Sequence, residues 1–206
     1  MKILGLDSSG LVASVAVVED DLLLAVHKTG GNDHILCASH DGASIRFAET
    51  DARCMGRQAR GVGAMELREG DYLVGACVIP GGEDSDEFKV LTLTEGGYGK
   101  RSEIGSFPVQ KRYGMGVRGH AVNEKTGLLT GIALVKEEDD LMMITDGGMI
   151  VRTAASEVPV YGRPTSGVIV MRLAEDAKLV SFDVAAKAEI PEEAASEETT
   201  ENIVEE

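Results

Sequence analysis

One spacing constrains this chain more than any other feature. Tight-turn dipeptides stand at Asp41-Gly42, Gly96-Gly97 and Gly147-Gly148, offset by 55 and 51 residues. Five residues after each first turn position comes an arginine: Arg46, Arg101 and Arg152. A basic, glycine-containing heptapeptide follows in each copy, as GRQARGV (56–62), KRYGMGV (111–117) and GRPTSGV (162–168), and its closing Gly-Val keeps the offsets of 55 and 51. Two unrelated features sharing one spacing mark a tandem repeat. A repeat restricts the fold to an array in which one supersecondary unit packs on the next.

The unit reads as β-structure. Apolar runs open it at LLLAV (22–26), YLVGACVI (72–79) and LLTGIALV (128–135), and a last copy, LVSFDV (179–184), has no hairpin after it. In the second unit, strands are expected at 72–79, 89–95, 98–104 and about 115–122, following one another along the chain. Asp-Gly and Gly-Gly suit two-residue hairpin loops, whose central positions both take positive φ. The chain has 25 Gly but no Trp, with four Tyr and four Phe, so turns are plentiful and the core is aliphatic. No window carries a long 3.6-residue period. The expected fold class is all-β, a propeller-like array of about three four-stranded blades.

Two flanks differ from the repeats. Residues 1–19 read as a leader β-hairpin, with strands at Lys2–Leu6 and Val12–Val18 around Asp7-Ser8-Ser9-Gly10. Such a turn points backbone N–H groups inward and suits a phosphate. This opening resembles the start of the actin and sugar-kinase-like ATPase superfamily, most of all the TsaB-type partner protein of bacterial tRNA threonylcarbamoyladenosine synthesis. An ordinary β-hairpin is the alternative reading. Residues 20–185 hold the repeats. Residues 186–206 are rich in Glu, Ala, Ser and Thr and are expected to be disordered.

The formal net charge is −15, but it is unevenly placed. Residues 187–206 hold eight Glu and one Lys, whereas 34–186 hold 17 Lys/Arg against 22 Asp/Glu. The body is therefore nearer to balance, and a basic face rather than the total decides whether a polyanion binds. The cysteines Cys37, Cys54 and Cys77 are too scattered for a disulfide framework or a zinc site, and the four His do not cluster. No metal or cofactor is expected. The acidic turns 80–86 and 137–140 lack the ligand spacing of a calcium loop. No 18-residue apolar run and no signal-peptide layout are present, so no membrane span and a cytoplasmic location are expected.

Longer phrases now point to a family. IRFAETDARCMGRQARGV (45–62), LTLTEGGYGKRSEIGSF (91–107), KRYGMGV (111–117) and LMMITDGGMIVRTAASEVPVYGRPTSGV (141–168) closely resemble the C-terminal domain of DNA gyrase A. The resemblance runs over about residues 20–185. The related domain of topoisomerase IV is the nearer rival, and the phrases GRQARGV and GYGKRSE favour gyrase. The resemblance implies a β-pinwheel, six-bladed in that family, which binds duplex DNA around its rim and bends it. About three blades are expected here. No stretch resembles the family's cleavage region with its catalytic tyrosine, so no catalytic residue is expected. The family's basic heptapeptide box is represented only by degenerate copies, and its Arg-Gly pair after RGV reads Gly63-Ala64.

The candidate DNA contacts are Arg57, Arg60, Lys111, Arg112, Arg118 and Arg163, which recur at matching loop positions, together with Lys100 of the GYGKRSE phrase. Equivalent loops of a radial repeat lie along one edge, where they would form a basic stripe. Its phosphate contacts would be sequence-neutral and salt-sensitive, and bent DNA would be read through deformability. Few aromatics suit duplex backbone binding better than single-strand stacking. Arg46, Arg101 and Arg152, on strands just after turns, are read instead as blade-to-blade salt bridges. Expected partners are duplex DNA, other gyrase subunits and a second copy through open blade edges. The tethered acidic tail would compete with DNA for the stripe. Two other function classes stay open: a protein-interaction fragment without DNA affinity, and nucleotide binding through Asp7–Gly10.

Overall fold

The structure is a computed structural model that describes residues 2–6, 13–19, 22–52, 61–82 and 86–185, with side chains from residue 23 onward. Its strands, in chain order, are β1 (Lys2–Leu6), β2 (Ala13–Glu19), β3 (Leu22–Thr29), β4 (His34–Ser39), β5 (Ala43–Ala48), β6 (Leu73–Ile79), β7 (Lys89–Thr94), β8 (Tyr98–Glu103), β9 (Val117–Arg118), β10 (Leu129–Val135), β11 (Asp140–Thr145), β12 (Ile150–Ala154), β13 (Val168–Ile169) and β14 (Leu179–Ala185). They form four sheets with orders β1-β2-β3, β6-β4-β5-β9, β10-β7-β8-β13 and β12-β11-β14. All pairs within them are antiparallel. The described residues therefore make an all-β array, as the repeat requires.

Each repeat is seeded by a local hairpin: β4–β5, β7–β8 and β11–β12. The turns close differently from the two-residue form expected. Gly42 N–H donates to Ser39 O, Gly97 N–H to Thr94 O and Gly148 N–H to Thr145 O, each at 2.9 Å. Only the second turn position is left-handed, with φ of 80°, 74° and 77° at Gly42, Gly97 and Gly148. This is a type I turn followed by one left-handed residue, which demands glycine once rather than twice.

The blades exchange strands, which corrects the reading of 72–79, 89–95, 98–104 and 115–122 as one unit. β6 pairs with β4 and β9 pairs with β5, both in the first blade, while only β7 and β8 stay together in the second. β13 likewise leaves the third repeat to pair with β8. Repeat spacing defines a period but not its phase, so sequence alone leaves open which strands share a sheet. Exchange interlocks neighbours: Gly119 and His120 N–H both donate to Gly42 O, and Val170 and Met171 N–H both donate to Gly97 O.

Stacking buries both faces of the hairpins, which is why HILCAS and KVLTLT are nearly continuously buried. Ile35, Cys37, Ile45 and Phe47 pack on Ala64 and Met65 on one side of the first blade. Leu36, Ala38, Cys77 and Ile79 pack on Val90, Ile104, Phe107 and Leu129 on the other. Leu91, Leu93 and Val135 meet Leu141, Met143 and Val158 of the third. Each of the Leu, Ile, Val, Phe and Met side chains among them contributes about 1.5–3 kcal/mol on burial.

The repeat arginines clamp one unit to the next. The Arg46 guanidinium donates to Ile104 O (3.2 Å) and Phe107 O (3.4 Å). Arg101 donates to Val158 O (2.6 Å) and Ser156 O (3.3 Å), with Glu137 3.9 Å away. They do bridge units, but mainly to backbone carbonyls rather than by the salt bridges expected. Arg152 turns back to Asp140 within its own blade, bonding it through Nε at 3.0 Å. The third blade also has no fourth strand beside β12 among the described residues, and Met149 and Ile150 are 54% and 59% exposed.

Candidate nucleic-acid interface

The candidate surface is built from the loops that join one blade's hairpin to the short outer strand of its neighbour. Residues 111–116 lead into β9 and residues 162–167 lead into β13. Arg112 donates through Nε to Asp51 O at 3.2 Å and through Nη1 to Gly63 O. Arg163 donates through Nε to Ser106 O at 2.9 Å and through Nη1 to Arg118 O. Asp51 and Ser106 are equivalent residues 55 apart, as are Gly63 and Arg118. Both loop arginines thus staple their loop to the preceding unit in the same way, and each remains part-exposed.

The other candidates fall out differently. Lys111 and Arg118 are exposed at the rim. Arg57 and Arg60 lie outside the described residues, as does the Asp7–Gly10 turn. Lys100 is not at the surface: its side chain is fully buried, and Nζ donates to the carbonyls of Gly162 (3.1 Å), Arg163 and Thr165 (2.7 Å). That removes it from direct contact with any phosphate. Burial, and then the nearby Arg163 charge, lower its pKa to about 8. The signal that could have found this lies in the repeat: Lys100 aligns with the core residue Ile45 and with Val151. Arg172, which sequence reasoning missed, is exposed just beyond β13.

The field along this edge is mixed. A groove of about 460 Å³ beside Arg118 is lined by Arg68 and also by Asp41, Glu66 and Asp71. A cavity of about 630 Å³ lies elsewhere, between the inner strands β6, β10 and β14. Its polar groups already have partners. His40 stacks on Tyr72 at 4.3 Å and lies 3.4 Å from Glu95, which accepts from Lys178 at 3.2 Å. That leaves an apolar space with a self-satisfied mouth. Cys37 is buried, with its thiol pushed up to about 12, and burial raises Cys77 too, which makes both poor nucleophiles. Among the described residues no group of three or more His, Cys, Asp or Glu is placed to hold a metal.

The comparisons agree with this architecture. The family described as DNA gyrase C-terminal domain, beta-propeller, matches residues 33–79, 89–136 and 139–186, which are the three repeats. DNA gyrase A of Escherichia coli (strain K12) is 39% identical over 177 residues, covering 86% of this chain and 20% of that protein. Its counterpart in Staphylococcus epidermidis is 38% identical over 157 residues, 76% of this chain and 17% of that protein. The chain thus spans about a fifth of the length of these relatives. A solved DNA gyrase A C-terminal domain superposes with a TM-score of 0.71 at 25% identity, covering 81% of this chain and 56% of that one. The C-terminal domain of DNA topoisomerase IV shares the fold, with a TM-score of 0.75 at 22% identity over 93% of this chain and 56% of that one. Three repeats at one spacing, hairpin blades interlocked by exchanged strands, and the family match over all three repeats together place this chain in the DNA gyrase C-terminal domain family.

Proposed function

We propose that this chain is a non-catalytic module that binds and bends duplex DNA along its outer rim, in the cytoplasm and in association with other gyrase subunits. The observation that carries this is the equivalence of the two rim loops. Within a gyrase C-terminal fold, Arg112 and Arg163 hold successive loops at the same place on successive blades, which lines up their cations along one edge. Lys111 and Arg118 face solvent there. Contacts of this kind are made to phosphates, so affinity depends on salt more than on sequence. No helix of the described residues is long and apolar enough to cross a membrane.

The test is anisotropy of a labelled duplex of about 40 base pairs across a salt series starting near 50 mM, where electrostatic binding is strongest. Lys111 and Arg118 together predict a log–log slope of about −2 or steeper, at about −0.9 per neutralised phosphate. Absence of binding at the low-salt end overturns the proposal. It would favour the second reading, a protein-interaction fragment, to which the acidic residues flanking Arg118 lend support. Self-association through the β12 edge, which has no further strand beside it among the described residues, belongs to the same reading of an open array. It predicts a mass that rises with concentration in light scattering and falls back with Ile150→Lys; a monomer at all concentrations removes it.

A further inference from the structure

The loop 161–166 rests on a polar bed that its counterpart lacks. Five of its six carbonyls are held from below by buried or part-buried side chains. Ser102 Oγ donates to Tyr161 O at 2.8 Å. The Lys100 ammonium takes the carbonyls of Gly162, Arg163 and Thr165, and His120 Nε2 lies 3.1 Å from Ser166 O. Behind His120, Nδ1 lies 2.9 Å from Thr92 Oγ1. Under the preceding loop, the equivalents of Thr92, Lys100, Ser102 and His120 are Cys37, Ile45, Phe47 and Met65, all apolar and all buried. The two loops also differ in backbone. Tyr113 is left-handed at φ 67°, whereas its counterpart is Pro164, whose ring forbids that conformation.

We propose that loop 161–166 is a phosphate-binding site of this rim and that Lys100 is its positioning residue, acting from beneath through Arg163. The inference rests on the duplex-DNA reading of the rim. Turning five carbonyls inward removes lone pairs from the outer surface of the loop, where they would repel a phosphate. The same contact places a buried positive charge behind that surface. It also anchors the backbone of Arg163, whose guanidinium is stapled to Ser106 and Arg118. A loop so held presents its cation with little ordering left to do on binding.

A double-mutant cycle on the full chain tests this, with the same labelled duplex at low salt. Arg163→Ala and Lys100→Met should each weaken binding by about 10-fold, the scale of one charge-assisted contact. The double variant should be within about 2-fold of either single one, while Lys111→Ala adds its full effect in every background. A folded Lys100→Met protein that binds like wild type, with Arg163→Ala still weakened, overturns the proposal and leaves the rim reading intact. If neither Arg163→Ala nor Lys111→Ala changes binding, both fall together. Wild type supplies an arm that needs no Lys100 variant. The titratable groups facing Lys100 are His120, from the segment after β9 and neutral at about pH 8, and the charged Arg163 on the loop. Affinity should drop as pH rises through about 8, where the ammonium deprotonates, and the drop should be absent in Arg163→Ala. A flat wild-type profile, or a drop that persists in Arg163→Ala, also overturns it.

Discussion

At the residue scale, equivalent positions carry out different tasks according to what lies next to them. Arg46 is half-buried between units, and that partial burial depresses its pKa. Arg152 has no further unit to grip among the described residues, and its side chain is 65% exposed. Arg46→Ala should therefore cost about 2–4 kcal/mol, because it strands buried carbonyls, whereas Arg152→Ala should cost less than about 1 kcal/mol. Urea unfolding of the two variants checks the contrast, and equal losses would contradict the clamp. His120 is buried and held neutral, its pKa lowered to about 4 by burial and by the Lys100 charge. Its folded pKa lies below the unfolded value of 6.5, so the unfolded chain takes up the proton first as pH falls. Stability should drop between pH 6.5 and 4 by about 3 kcal/mol from this group, and His120→Gln should flatten that limb of the melting profile. Lys100 shows what residue type conceals. A lysine between a glycine and an arginine reads as surface, yet the offsets of 55 and 51 already place it on core positions.

At the element scale, hairpins were legible and blades were not. A hairpin is a local object: its turn glycine and its two strands lie within about fifteen consecutive residues. A blade here recruits a strand from the following repeat, and nothing in a two-residue segment such as Val117–Arg118 announces its partner. The turn glycines report the same coupling. A Cβ on Gly97 would lie 2.3 Å from Met171 O, while a Cβ on Gly148 would meet nothing within 4 Å. Both are left-handed, at φ 74° and 77°. Gly148→Ala should thus cost only the left-handed conformation, about 1–2 kcal/mol. Gly97→Ala adds a backbone clash and should cost about 3–4 kcal/mol, measurable as a lower urea midpoint. Amides of β12 should also exchange faster than those of β8, because among the described residues β8 is covered on both edges and β12 on one.

At the scale of the whole molecule, three gyrase-type blades are stacked on a three-stranded leader sheet, in which β3 pairs with β2. The first and third blades of the array are thereby treated differently. The first is flanked by β3, whose His27 Nε2 lies 2.9 Å from Ala76 O of β6, while the third presents Ile144, Met149, Ile150 and Val180 to solvent. Charge is a property of this scale as well. The tail from 187 carries eight Glu, and its tether to the array gives it a high effective concentration at any basic surface. Deleting 187–206 should strengthen duplex binding at low salt and leave it unchanged at high salt; unaltered low-salt affinity would dismiss the tail as a competitor.

The repeat period, the all-β class, the hairpin positions and the family are legible in the order of the residues alone. All of these rest on local spacing and on the order of residues, which survive without coordinates. Which strands share a sheet, and which cations face water, were decided only by the tertiary structure. Register across repeats depends on packing between segments about 50 residues apart, and a charge is exposed or buried according to what docks over it. Lys100 makes the distinction concrete. Its position in the repeat was readable, but only the docking of loop 161–166 turned it from a rim cation into the buried donor that holds the rim.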